Sequence, residues 1–167
     1  MLRLALDQNF PVPLLDSLQR WLPADTEIQS IASMDTRLPL LSDRNLFIAL
    51  KDLGVDGLVS NNWRMLNQES EVASIIHTKA IAIFIKGMGH DPIRAAGALL
   101  LDLPNLAERV IPGVGNVFLL SHDRRRPTNA WQSLESIAGR HKVSASTLWK
   151  AQKPSEEEIG SLRAHMA

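Results

Sequence analysis

Ala80-Ile81-Ala82-Ile83-Phe84-Ile85 is apolar at every position. Side chains alternate between the two faces of a strand, so an unbroken apolar run is what a strand covered on both faces requires. The run predicts a central parallel strand between two layers of helices. Gly87-Met88-Gly89 turns the chain beyond it, and His90-Asp91-Pro92 opens a helix running to about Leu101, with a short one after Pro104. Pro112-Gly113-Val114-Gly115 then turns into a last strand, Asn116–Ser121.

Working back from the central strand, a helix is expected over Met65–His77, and Gly57-Leu58-Val59-Ser60 reads as a short buried strand. Ser42 has the character of an N-cap for a helix lined by Leu46, Phe47, Leu50 and Leu53 and ended by Gly54. Glu27–Ile31 suits a short strand. Leu14, Leu15, Leu18 and Leu22 lie at helical spacing, stopped by Pro23. The chain opens on a strand, Leu2-Arg3-Leu4-Ala5-Leu6. Alternating strands and helices predict an α/β fold, a three-layer α/β/α sandwich with a mainly parallel sheet over residues 1–121. Residues 122–167 read as a basic linker and a C-terminal helical extension, with helices over 130–140 and 144–152 and a mobile acidic tail from Pro154.

The 167 residues suit one domain with a sizeable core and a small appendage. The chain has no cysteine, which excludes disulfides, thiolate catalysis and a cysteine-based zinc site. No apolar run is long enough to span a membrane and the N-terminus does not read as a signal peptide, so a cytoplasmic protein with no membrane partner is expected. Net charge is zero, but residues 1–121 carry 10 basic and 13 acidic side chains, and residues 122–167 carry 8 and 5. A slightly acidic body with a basic tail argues against a broad nucleic-acid surface on the body.

In an open α/β sheet the crevice for ligands lies at the carboxyl ends of the strands. Asp7 stands there after the first strand, Asn62 after the strand at 57–60 and Asp91 after the central strand, while Asp43 lies in the first turn of the helix capped by Ser42. Carboxylates crowded into one crevice favour a hard divalent cation, Mg²⁺ or Mn²⁺, whose bound water can attack a phosphodiester. Each residue also has a purely structural reading. Asp7 can cap a helix or start an Asx turn, and Asp43 faces a helix dipole favourably. Asn62 suits a turn, and Asp91 before Pro92 makes a good N-cap.

Three short motifs occur in order: Asp7-Gln8-Asn9-Phe10-Pro11, Ser42-Asp43, and Ser60-Asn61-Asn62-Trp63-Arg64-Met65. Together they resemble the PIN-like nuclease superfamily, especially its small bacterial branch related to VapC-type toxins. The matching stretches there are a strand ending in Asp-Glu-Asn, a Ser-Asp pair opening a helix, and a Thr-x-Asp-x-Asp-Phe-like segment. The resemblance implies a metal-dependent endoribonuclease, often a toxin neutralised by a partner, with Asp7 and Asp43 as metal ligands. Gln8 and Asn62 stand where that family carries acids, and Arg64 at the second Asp position of the Thr-x-Asp-x-Asp-Phe-like segment. Asp91 is an added ligand inferred from its strand-edge position.

The leading expectation is therefore a PIN-like toxin ribonuclease. Asp7, Asp43 and Asp91 would hold Mg²⁺ or Mn²⁺ with Asn62 helping, and Asn9, Arg64, Arg124, Arg125 and Arg126 would contact nucleic acid. The expected partners are an RNA substrate, an antitoxin protein and a second copy of the chain in a homodimer. One alternative is a degenerate PIN-like binding module, suggested by the missing acid at position 62. Another is DNA binding through Leu134–Leu148, which resembles a helix-turn-helix. Leu134, Ile137, Val143, Leu148 and Trp149 also suit a helical hairpin packed on the body, and this second reading of the tail is preferred.

Overall fold

The computed structural model describes residues 1–8, 10, 19–88, 91–121 and 128–166. Asn9, Arg124, Arg125, Arg126 and most of the helix expected over Leu14–Leu22 lie outside the described residues. The chain forms strands β1 (Leu2–Leu6), β2 (Thr26–Ser30), β3 (Gly57–Ser60), β4 (Ile81–Ile85), β5 (Asn116–Leu120) and β6 (Thr128–Asn129). The sheet order is β2-β1-β3-β4-β5-β6, with the first five strands parallel and β6 antiparallel to β5. The described helices are α1 (Ile31–Met34), α2 (Asp43–Asp52), α3 (Glu69–Thr78), α4 (Pro92–Arg109), α5 (Ala130–His141), α6 (Ala145–Gln152) and α7 (Glu156–Met166).

The alternation of side chains along each strand divides the core in two. Ala5, Leu58, Ala82, Phe84 and Val117 face a cluster built with α2, α3, α5, α6 and α7. Leu4, Leu6, Val59, Ile81, Ile83, Ile85, Phe118 and Leu120 face the opposite cluster, which includes Ala95, Leu99, Leu103 and Leu106 of α4. This is the expected α/β/α sandwich, and β4 is buried along its whole length, as its uninterrupted apolar sequence requires. Gly57 is fixed by close approach. A Cβ there would lie 2.1 Å from the Ile81 carbonyl oxygen, so only glycine lets β3 pair with β4 at this point.

Three local differences from the sequence reading have physical causes. Helix α4 is continuous through Pro104, because Pro104 is exposed while Leu99, Leu103 and Leu106 seat both halves on the same sheet face. The segment expected as one helix over Met65–His77 is a 3₁₀ turn, Trp63–Asn67, followed by α3 after an extended Gln68. The acidic tail is ordered into α7. Glu156, Glu157 and Glu158 occupy its first turn, where negative charge suits the helix dipole, and Ile159 and Leu162 are buried.

Long-range ion pairs fasten α7 to α2. The Arg44 guanidinium binds the Glu158 carboxylate and donates to the backbone oxygens of Gln152 and Ser70 at 2.6 and 3.3 Å. Arg163 pairs with Asp52 at 2.9 Å. Helices α5 and α6 form the expected packed hairpin, with Leu134, Ile137, Ala138 and Leu148 buried in the same cluster as the body, whereas Val143 is exposed. The extension thus shares the core on the α2–α3 side. Among the described residues no helix is long and apolar enough to cross a membrane.

Candidate functional site

Leu6 lies opposite Val59 in the β1–β3 ladder, so Asp7 and Ser60 follow side by side at the carboxyl edge. Both share the parity of Ala5 and Leu58, which places them on the α2–α3 side of the sheet. The Asp7 amide continues the pairing by donating to the Val59 carbonyl at 3.0 Å. Asp7 is only 6% exposed and Ser60 is fully buried. A buried carboxylate needs donors, and Asp7 has two. Its Oδ1 accepts from the Gln8 amide at 2.7 Å and its Oδ2 from the Ser60 hydroxyl at 2.5 Å.

The chain leaving β3 extends this network. The Asn62 amide donates to Ser60 Oγ at 3.0 Å, and Asn62 Nδ2 donates to Asp43 Oδ2 at 3.3 Å. Asp43 is the first residue of α2, whose N-cap Ser42 accepts from the Asn45 amide. Burial, reinforced by the negative charge of Asp7, raises the Asp43 carboxyl above its ordinary range against the pull of the Asn62 hydrogen bond. Three of the four residues expected at the crevice (Asp7, Asp43 and Asn62) are thereby brought together.

Asp91 is placed differently. It caps α4, accepting from the Arg94 amide at 3.0 Å and pairing with the Arg94 side chain at 3.6 Å. Its helix covers the opposite face of the sheet from Asp7 and Ser60. No hydrogen bond or ion pair joins Asp91 to Asp7, Asp43 or Asn62 among the described residues. The N-cap reading of Asp91-Pro92 is the one its contacts display.

Glu71, which the sequence reading did not single out, takes a position beside Asp43. Burial and then the Asp43 charge push its carboxyl up to about 7, and its buried Oε2 has no hydrogen-bond partner among the described residues. A signal for it was present. Glu71 shares a helical stripe with Ser74, Ile75 and Thr78, all buried, so its carboxylate lies on the packed side of α3. Its place in the first turn of a helix, where acids are ordinary, masks that signal.

The result is a run of carboxylates, Asp7 to Asp43 to Glu71, each influencing the next, tied by Ser60 and Asn62. The donor set is oxygen throughout, the chemistry of a hard cation. Among the described residues no three His, Asp or Glu side chains are drawn together as a ready metal cage. Arg64 is exposed in the 3₁₀ turn directly after Asn62, and Lys86, at the carboxyl end of β4, places its Nζ 4.3 Å from the centre of the Trp63 ring. No family model, curated protein or solved structure matches this chain.

Proposed function

We propose that this chain is a PIN-like, divalent-metal-dependent endoribonuclease in which Asp7 and Asp43 are the principal carboxylates and Glu71, rather than Asp91, is the third. The observation that carries the proposal is the hydrogen-bonded chain Asp7–Ser60–Asn62–Asp43 at the carboxyl edge of β1 and β3, with Glu71 beside Asp43. The motif order at Asp7, Ser42-Asp43 and Ser60–Met65 supports it. A role as the cytoplasmic toxin of a pair, held by an antitoxin protein, belongs to the same proposal.

The residues present fit Mg²⁺ or Mn²⁺. Mg²⁺ is held by one or two carboxylates together with water and substrate phosphate, so a complete protein cage is not required. The unpartnered Glu71 oxygen and the raised Asp43 carboxyl are what a site short of positive charge displays. Bound there, the ion supplies Lewis-acid activation of water and neutralises charge at the scissile phosphate. The chain's own side chains do the positioning. Ser60 and the Gln8 amide fix the Asp7 carboxylate, Asn62 holds Asp43 towards it, and Glu71 adds negative potential from α3.

The test is cleavage of mixed-sequence RNA by the purified chain with Mg²⁺, Mn²⁺ or chelator, with Mn²⁺ binding followed by calorimetry. Cation-dependent cleavage, abolished by Asp7→Asn and by Asp43→Asn, is expected. A folded protein that neither binds Mn²⁺ nor cuts RNA would refute the proposal.

One observation favours a second reading, a PIN-like module that binds without cutting. Asn62 supplies a hydrogen-bond donor to Asp43 where the resembling family has an acid. Asn62→Asp separates the two. Activity that appears only in the variant supports the binding module, whereas cation-dependent cleavage by the unaltered chain rejects it.

A further inference from the structure

We infer that the C-terminal hairpin α5–α6 and the segment after β3 together form a cationic rim that docks the sugar–phosphate backbone of single-stranded RNA beside the acidic site. The inference rests on the nuclease reading for its ligand and on separate contacts for its geometry.

Residues 62–71 carry Asn62 and Glu71 at their two ends, and the C-terminal turn of α5 is fastened to the stretch between them. Arg140 Nη1 donates to Asn67 Oδ1 at 3.3 Å, and His141 Nε2 lies 3.2 Å from Glu69 Oε1. Lys142 follows as the exposed C-cap of α5. From the body, Arg64 stands exposed in the same 3₁₀ turn as Asn67, and Lys86 rests over Trp63 in that turn. Hairpin and body thus contribute two cations each to the border of one short segment.

Their charges are available. Among the described residues, Arg64, Lys86, Arg140 and Lys142 have no carboxylate within ion-pair distance. Glu69, in the segment's second half, has its Oε1 3.2 Å from His141 Nε2 and forms no ion pair with these four among the described residues, and Glu135 on α5 accepts from Trp131 Nε1 at 3.0 Å. A helix C-terminus favours basic residues for its own dipole, which accounts for Arg140 and His141 on α5 but not for Arg64 or Lys86.

The form of the rim selects the ligand. A duplex presents two backbones and needs a broad basic surface, which a body with 13 acidic and 10 basic side chains lacks. Four cations along the border of one ten-residue segment suit one backbone. The carboxylates beside it repel phosphate, so flanking nucleotides are held at the rim while the crevice admits phosphate only with a compensating cation.

The experiment uses the full chain carrying Asp7→Asn, so that RNA stays intact. Binding of labelled single-stranded RNA is followed by anisotropy over a KCl series. Arg140→Gln/Lys142→Gln and Arg64→Gln/Lys86→Gln should each weaken binding roughly tenfold, and each should lower the salt slope by about 1.4, the value for two phosphate contacts on a single strand. Arg140→Lys and Lys142→Arg should each bind as the parent does, which separates loss of charge from loss of fold. Unchanged affinity and slope in both double variants, or tighter binding of duplex than of single strands, would overturn the rim. Mn²⁺ binding and cleavage by the Asp7-containing chain are measured in parallel. Rim-dependent binding without cleavage keeps the rim and removes the nuclease, whereas cleavage with unchanged KM in the double variants keeps the nuclease and removes the rim.

Discussion

Replacing Glu71 by Gln should stabilise the metal-free protein at high pH and leave it almost unchanged at low pH. In the fold, burial and the Asp43 charge raise this carboxyl from 4.5 to about 7. A carboxyl with a raised folded value binds its proton more tightly folded than unfolded. Below pH 4.5 both states are protonated and nothing is lost. Between pH 4.5 and about 7 stability falls as pH rises, and above about 7 the penalty is complete. The full span corresponds to roughly 3 kcal/mol. Glu71 is half-buried, and solvent screening of the exposed part reduces this to about 1.5 kcal/mol. Glu71→Gln keeps the shape and removes the charge, so urea unfolding at pH 8 should show a gain of about 1.5 kcal/mol, equivalent to a rise in Tm of roughly 3–6 °C. At pH 4 the gain should vanish. On the proposed function, Mg²⁺ or Mn²⁺ should then stabilise the unaltered chain more than the variant, because a bound cation would relieve the same repulsion. An equal gain at both pH values, or a loss at pH 8, would show that Glu71 is neither strained by burial nor coupled to Asp43.

Ser60→Ala removes the hydroxyl that donates to buried Asp7 and accepts from the Asn62 amide, and should cost about 2–3 kcal/mol at pH 7. Urea midpoints measure this; a loss under ~0.5 kcal/mol would place the Asp7 carboxylate in contact with water. Arg44→Ala breaks the junction with Glu158 and the Gln152 and Ser70 carbonyls, taking the guanidinium donors from the partly buried Glu158 carboxylate and Gln152 carbonyl, while the Ser70 carbonyl keeps the Ser74 hydroxyl. Hydrogen exchange should accelerate across α7 first while β4 keeps its protection, and uniform acceleration would contradict a locally fastened tail.

Much of the fold was legible because its signals are local. The apolar run of β4, the Gly57–Ser60 strand and the Ser42 cap each state their conformation within a few residues. The order of α2 and α3 between parallel strands then follows from connection rules. What was not legible depends on distant partners. Helix α7 reads as a charged tail until Arg44 and Asp52 stand opposite Glu158 and Arg163, more than 100 positions away. Pro104 reads as a break until the apolar residues around it are seen on one sheet face. Asp7 and Asn62 were placed at the crevice from strand-edge position because strand ends are predictable, and Asp43 from the first turn of the helix that Ser42 caps. Asp91 satisfied the same rule but belongs to a helix on the other face, which the rule does not distinguish. Glu71 required knowing that α3 turns its first-turn carboxylate towards α2.

The asparagine at position 62 acquires a physical rationale from these neighbours. An acid there would bring another negative charge against Asp43, whose carboxyl is already raised by burial and by Asp7. Asn62 instead offers an amide hydrogen to Asp43 Oδ2, which lowers that carboxyl, while its backbone amide engages Ser60, the residue that holds Asp7. If the proposed function holds, asparagine in place of an acid here exchanges affinity for a cation against cohesion of the site without metal. On the proposed function this chain should require higher Mg²⁺ or Mn²⁺ than its Asn62→Asp variant, and the variant should in turn be the less stable of the two without metal. The two effects share one origin, so they should shift together: if Asn62→Asp binds Mn²⁺ more tightly with no loss of metal-free stability, repulsion at Asp43 is not what Asn62 relieves.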